Sequence, residues 1–386
     1  MEYMLHHFRC QPIKGGIEMG DLALLEELRT SMRKRLEFTE LTHHLDRIKF
    51  SVSALSVNDK KKHDKVSNIP VETMELSKLL FTTGQSMKDL PEGARLGIAL
   101  GCSLAGMIVN IGIDDPIELM ELIDAQSPRT MFRLGPDRMW LDPSHMRNGG
   151  IIELDILDRT KTDVDGKVEK MVEVTNGKDL INLVHMLKML LGKELILNIH
   201  SMDLESDIDH YLVTGADGLM VRCYPGLLDP SSSPDPVAST IIASDHMMIF
   251  HSKEKGVKLQ INGPVRNGSD VVKLIALGAD MIGLDHFTHE FLVTYLSVKD
   301  GSGDANIMDV SSYPEDLDWA EIGELFGNIL EDLKNDIRET LSLLNISSKE
   351  ELDRSILTTD SYDTASITGL KLLGFGSPLP IWRHRS

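Results

Sequence analysis

The chain is short of cysteine, of positive charge, of long apolar runs and of recognisable nucleotide or metal signatures, and each shortage closes off a class of function. Three cysteines in 386 residues, Cys10, Cys102 and Cys223, are too few and too scattered for a zinc motif, an iron–sulfur motif or a disulfide framework. Buried, inert thiols are the expectation. A formal charge of −20 repels polyanions and argues against nucleic-acid binding. Two basic clusters, Arg33 to Arg35 and Lys60 to Lys65, read as solvated charge on a helix and in a loop. No apolar run reaches the length of a membrane span, and Met1 to Lys14 lacks the basic-then-apolar order of a secretory signal. The expectation is a soluble, cytoplasmic protein. No G-x-G-x-x-G follows an apolar run and no H-E-x-x-H occurs, so neither a dinucleotide fold nor a metal site is expected.

What is present is one theme repeated from Leu79 onward: an apolar run, a polar turn, then a segment with helical period. The runs are "LLFTTG" from Leu79, "MIVNIG" from Met107, "TMFRLG" from Thr130, "IIELDI" from Ile151, "LILNIH" from Leu195, "GLMVRC" from Gly218, "KLQING" from Lys258 and "MIGLDH" from Met281. Near-continuous apolar runs suit strands buried on both faces, as in parallel sheets. Helices are expected over Pro116 to Ala125, Lys178 to Leu191, Asp235 to Lys255 and Ser269 to Leu277. Eight such units predict a (β/α)8 TIM barrel, an α/β fold, with an open doubly wound sheet as the alternative.

The flanks have another character. Residues 1–70 read as an N-terminal helical extension and linker, 71–300 as the barrel, and 301–386 as a C-terminal helical tail packed on it. Within the tail, Trp319 to Leu344 places Ile322, Leu325, Ile329, Leu333, Ile337 and Leu341 on one face. "SSKEEL" from Ser347 supplies a capping-box start for a further helix.

In a barrel of this kind the C-terminal strand ends carry the chemistry. Those ends read Thr83-Gly84, Asn110, Arg133, Asp155, Asn198 to His200, Arg222-Cys223, Asn262-Gly263 and Asp285-His286. Asn198, His200, Asp285 and His286 are the pocket candidates for a small molecule in the barrel mouth. His200, Asp285 and His286 could also serve a metal- or phosphometabolite-binding enzyme, although no ligand spacing supports it. "NGPVRNGSD", Asn262 to Asp270, has the outline of a phosphate turn in the place where barrels make such sites, after strands seven and eight.

The run "INGPVRNGSDVVKLIALGADMIGLDHF" resembles the flavin-phosphate segment of the FMN-binding barrel of glutamate synthases, which reads like D-G-G-L-R-T-G-x-D-V-V-K-A-L-A-L-G-A-D-x-V-G-x-G. "FTTGQSMKDLPEGARLGIALGCSLAGMIVNIG" is similar to the family's first strand and G-x-M-S-x-G segment. "LGPDRMWLDPSHMRNGGIIELDI" is similar to its S-G-R-F-G-V-T-P and I-E-I-K segment, and "LLNISSKEEL" to its trailing helices. The likeness spans roughly Leu45 to Phe375. FMN-dependent hydroxy-acid oxidases and one class of isopentenyl-diphosphate isomerase share this type of barrel.

The resemblance implies an FMN site built from Gly84, Ser86, Asn262, Gly263, Arg266, Asn267 and Gly268. This chain departs from the family at the positions that hold the cofactor. The second glycine of D-G-G is Pro264, which has no N–H to give a phosphate. The glycine after strand eight is Asp285. A carboxylate about 4 Å from a phosphate costs on the order of 4 kcal/mol at an effective dielectric near 20, enough to cancel about three decades of affinity. The strand-five lysine is Asn198, the loops after strands four and six differ, and the cluster-binding cysteines are absent, so no iron–sulfur cluster is expected.

Three readings follow. The first is a divergent glutamate-synthase-like barrel with a degenerate flavin site, a non-catalytic or repurposed subunit acting as a homo-oligomer or with a paralogous glutamate synthase subunit. The second is an active FMN-dependent oxidoreductase that aminates 2-oxoglutarate with ammonia and electrons from other subunits. The third is the metal- or phosphometabolite-binding enzyme.

Overall fold

The computed structural model describes residues 19–37, 43–51, 76–82, 90–111, 130–135, 150–155, 157–162, 168–170, 176–199, 203–223, 234–250, 256–300, 314 and 317–378. All eight apolar runs contribute strands to one parallel sheet. They are β1 (Leu80–Phe81), β2 (Val109–Ile111), β3 (Thr130–Leu134), β4 (Ile151–Asp155), β5 (Glu194–Ile199), β6 (Gly218–Arg222), β7 (Lys258–Asn262) and β8 (Met281–Gly283). Their spatial order is β1-β8-β7-β6-β5-β4-β3-β2. A parallel bridge between Phe81 and Ile108, with Thr82 N–H donating to Ile108 O at 3.3 Å, brings β1 back to β2. The result is the expected (β/α)8 barrel.

Polar residues set the helix starts. Asn176 and Asp179 form a reciprocal capping box on α4 (Gly177–Leu191), and Asp203 caps α5 (Leu204–Leu212). Asp235 caps α6 (Pro236–Ile249) with proline in its first turn, and Asn267 caps α7 (Gly268–Leu277). Before them lie α1 (Met19–Glu37), α2 (His43–Arg47) and α3 (Glu92–Leu104); after them come α8 (Asp285–Asp300), α9 (Trp319–Leu343) and α10 (Tyr362–Thr368). The expected helix over Pro116 to Ala125, the Lys60 to Lys65 cluster and Cys10 lie outside the described residues.

Helix α9 buries the six apolar residues that its sequence places on one face, and it packs on α3 and α7. Helix α1 lies along α8, held by Arg35 Nε to Glu290 Oε2 at 2.8 Å, and reaches α9 through Arg29 Nε to Asp332 Oδ2 at 2.6 Å. Arg33 and Lys34 are exposed, as solvated charge should be, while Arg35 is drawn into that pair.

The helix expected from Ser347 is a correction. Two 3-10 turns form instead, at Lys349–Glu351 and Arg354–Ile356, because Leu352 between them turns inward in an extended conformation and Lys349 Nζ reaches back to Asp280 Oδ1 at 2.7 Å. The chain then enters a strand, Leu357–Thr359, which pairs antiparallel with Ile48–Phe50 and parallel with Lys371–Leu372. This small sheet ties the tail to the N-terminal segment, and two- or three-residue strands leave no periodic trace in a sequence.

Two clusters make up the core. The larger fills the layer between sheet and helices. The smaller plugs the barrel itself with Phe81, Ile108, Met131, Ile196, Met220 and Met281, against which Ile151 packs. Among the described residues no helix is long and apolar enough to cross a membrane.

Candidate functional site in the barrel interior

Side chains alternate across a strand, so the residue two places beyond each plug residue faces the same interior. Ile108 is followed by Asn110, Met131 by Arg133, Ile151 by Glu153 and Asp155, Ile196 by Asn198, and Met220 by Arg222. Met281 is followed by Gly283 and then Asp285. Gln260 lies in register with both Met220 and Met281, and Asn262 with Arg222 and Gly283. An apolar plug is thus overlaid, toward the C-terminal strand ends, by a polar layer. Asn110, Glu153, Asp155, Asn198, Gln260 and Asn262 are all fully buried in it.

The layer is bonded in three groups. Glu153 accepts from the side-chain amides of Asn110, on Oε2, and of Asn198, on Oε1, the latter at 2.6 Å. Arg133 clasps Asp155, with Nε and Nη2 at 3.2 and 2.9 Å from Oδ2. Asn262 donates to Asp285 Oδ2 at 2.7 Å, and Arg222 Nη2 stands 4.0 Å from the same oxygen. Gly283 makes room for Asn262 in the third group, since a Cβ there would lie 2.8 to 2.9 Å from the Asn262 side chain. Burial pushes the Glu153 carboxyl above its usual range; Arg133 and Arg222 pull against that shift, and Asp155 adds to it.

Not every polar atom of the layer is satisfied. The side-chain oxygens of Asn110, Asn198 and Asn262, and both amide atoms of Gln260, make no hydrogen bond with the protein. Such atoms each cost about 1–3 kcal/mol when buried alone.

The phosphate turn stands differently. Asn267 caps α7 by accepting from Asp270 N–H at 3.0 Å. Arg266 spends its fork on carboxylates: Nε is 2.9 Å from Asp270 Oδ2, and Nη2 is 3.2 Å from Asp270 Oδ1 and 2.5 Å from Asp46 Oδ1. The Gly268 N–H donates to Asp336 Oδ2 of α9 at 2.6 Å. Arg266 and the Gly268 N–H are thus bonded to carboxylates of the chain itself, and Pro264 offers no N–H.

Of the pocket candidates, Asn198 and Asp285 face the interior. His286 does not join them: it bonds the Val265 backbone and lies 3.8 Å from Glu290, on the helical side, where burial takes it down to about 4. Asp285 and His286 therefore diverge rather than converge on one ion. Among the described residues no group of three or more His, Cys, Asp or Glu could hold a metal. Gly84, Ser86 and His200 lie outside the described residues. Burial raises the Cys102 and Cys223 thiols to about 12, in keeping with the inert role expected of them. Strand-end reasoning missed Glu153 and Gln260, which sit one pleat deeper; a charged or amide residue inside an otherwise apolar strand was the available signal.

No protein-family model matches the chain, and no curated protein matches it. Solved structures do. A flavocytochrome b2 variant with pyruvate bound is 15% identical, with 95% of this chain and 96% of that one covered and a TM-score of 0.57. The recombinant flavin-binding domain of baker's yeast flavocytochrome b2 is 15% identical over 89% and 92%, with a TM-score of 0.53. A variant of the active chimera of (S)-mandelate dehydrogenase is 16% identical over 87% and 99%, with a TM-score of 0.54. At such identities what is shared is the fold, a (β/α)8 barrel nearly coextensive with these chains.

Proposed function

We propose that this chain is a repurposed glutamate-synthase-like barrel that has lost the flavin phosphate site and uses its polar interior to bind a small molecule, as a non-catalytic or redirected subunit. The observation that carries this reading is the pairing of Arg266 with Asp270 and Asp46, two residues after Pro264. The guanidinium best placed by sequence to hold a phosphate is neutralised within the protein, and Asp285 stands where the resembled family has a glycine after strand eight. In the test, Pro264→Gly with Asp285→Gly restores a donor and removes a charge. That double variant is expected to bind FMN at least a hundredfold more tightly than the parent chain in a fluorescence titration. Equal and tight binding by both would remove the reading.

The second reading, an FMN-dependent oxidoreductase of the glutamate synthase type, is favoured by the likeness to the flavin-binding domain over most of both chains. On that reading Arg266 would hold the phosphate with the Asn267 and Gly268 backbone, and Arg266→Ala would release the cofactor.

A further inference from the structure

We infer that the barrel interior takes a small ligand bearing a protonated amine, seated on Glu153 between Asn110 and Asn198. This rests on the reading of the barrel as a small-molecule site, and it is silent on whether flavin chemistry is retained elsewhere in that family.

Two independent features of the interior point to a donor-rich cation. The first is the balance of charge. Among the described residues of the interior, Glu153, Asp155 and Asp285 are three carboxylates, and Arg133 and Arg222 two guanidiniums. Arg133 is committed to Asp155, and Arg222 lies beside Asp285. Glu153 is held by neutral amides alone in its direct bonds. An anionic guest would oppose the Glu153 carboxylate, whereas a cation would compensate it and favour its charged form.

The second feature is the balance of hydrogen bonding. Asn110 and Asn198 each turn their NH2 toward Glu153, which fixes their amide oxygens as acceptors with no donor. Asn262 Oδ1 and Gln260 Oε1 bring the acceptors without donors to four, against two such donor atoms in the layer, Gln260 Nε2 and Arg222 Nε. An ammonium offers three N–H donors and no acceptor. It can meet the Glu153 carboxylate and the adjacent Asn oxygens at once, while a sodium ion would demand a fuller oxygen shell. Met220 and Met281 flank Gln260 in register on the two neighbouring strands, so a short carbon skeleton finds apolar, adaptable contact there.

The test uses the full chain and the chloride salts of methylammonium, tetramethylammonium and sodium at equal ionic strength, followed by thermal unfolding. Methylammonium is expected to raise Tm progressively with the logarithm of its concentration. Tetramethylammonium, which has the charge and no N–H, and sodium should give no such rise. Glu153→Gln should weaken the apparent affinity at least tenfold while keeping the parent circular dichroism. Equal shifts with all three salts, no shift with methylammonium, or an unchanged shift in Glu153→Gln would each overturn the inference. The salt comparison needs no variant, so it decides even where Glu153→Gln folds poorly. A yellow, flavin-loaded protein would remove the proposed function; a colourless protein indifferent to methylammonium would remove only this inference.

Discussion

Asp336, on the long tail helix α9, accepts the backbone N–H of Gly268 at 2.6 Å, at the first residue of α7. A helix N-terminus presents unpaired N–H groups and a partial positive charge, which favours an anion. Here that anion is a carboxylate from the chain itself, and the same contact docks α9 on the barrel.

The contact is tight enough to be tested by one methyl group. A Cβ at position 268 would lie 2.3 Å from the Ile337 nitrogen and 2.6 Å from the Asp336 carbonyl carbon, both backbone atoms that cannot swing aside. Gly268→Ala is expected to destabilise the fold by about 3 kcal/mol or more. Asp336→Ala removes only the charged hydrogen bond and should cost about 1–2 kcal/mol. Urea unfolding of the two variants checks the order; a neutral Gly268→Ala would refute the packing of α9 described here.

Arg133 and Asp155 form the most enclosed ion pair of the interior, with side chains 8% and 0% exposed. Removing one partner leaves the other charge buried, which costs more than the pair contributes. Arg133→Ala should therefore lose about 3–5 kcal/mol, and Arg133→Met combined with Asp155→Leu much less. A double-mutant cycle in denaturant measures the difference, and additive losses would speak against a coupled pair.

His286 supplies a pH signature. Its folded value is depressed to about 4 by burial, below the ordinary value of 6.5. The unfolded chain thus binds more protons between those limits, so the stability held above pH 6.5 is lost as pH falls toward 4. From pH 7 to pH 5 the loss should be about 2 kcal/mol. His289 shifts in the same direction by burial and steepens the fall. Replacing His286 by Gln should flatten the stability profile over that interval, and an unaltered slope would show that another group governs it.

Much of the fold was legible because the barrel strands are buried on both faces and read as apolar runs. All eight runs became strands, and α9 buries the stripe its period marks. Boundaries were less legible: the helix expected over Asp235 to Lys255 starts from Asp235 as its cap and gives way to a turn at Phe250, with 251–255 outside the described residues. The strand ends gave Asn110, Arg133, Asp155, Asn198, Arg222, Asn262 and Asp285, which the structure gathers in the interior. They did not give Glu153 or Gln260, whose depth depends on pleat and register. His286 follows Asp285 in sequence, but α8 begins at Asp285 and carries the histidine round to Val265 and Glu290. Arg266 looked free for a phosphate because Asp46, the carboxylate beside it, is 220 residues away along the chain.

The central claim, that the carboxylate-matched turn no longer holds a flavin, is tested most directly by the visible absorbance spectrum of the purified chain before and after incubation with FMN and desalting. The account predicts no flavin bands in either sample. Stoichiometric flavin retained through desalting would contradict it.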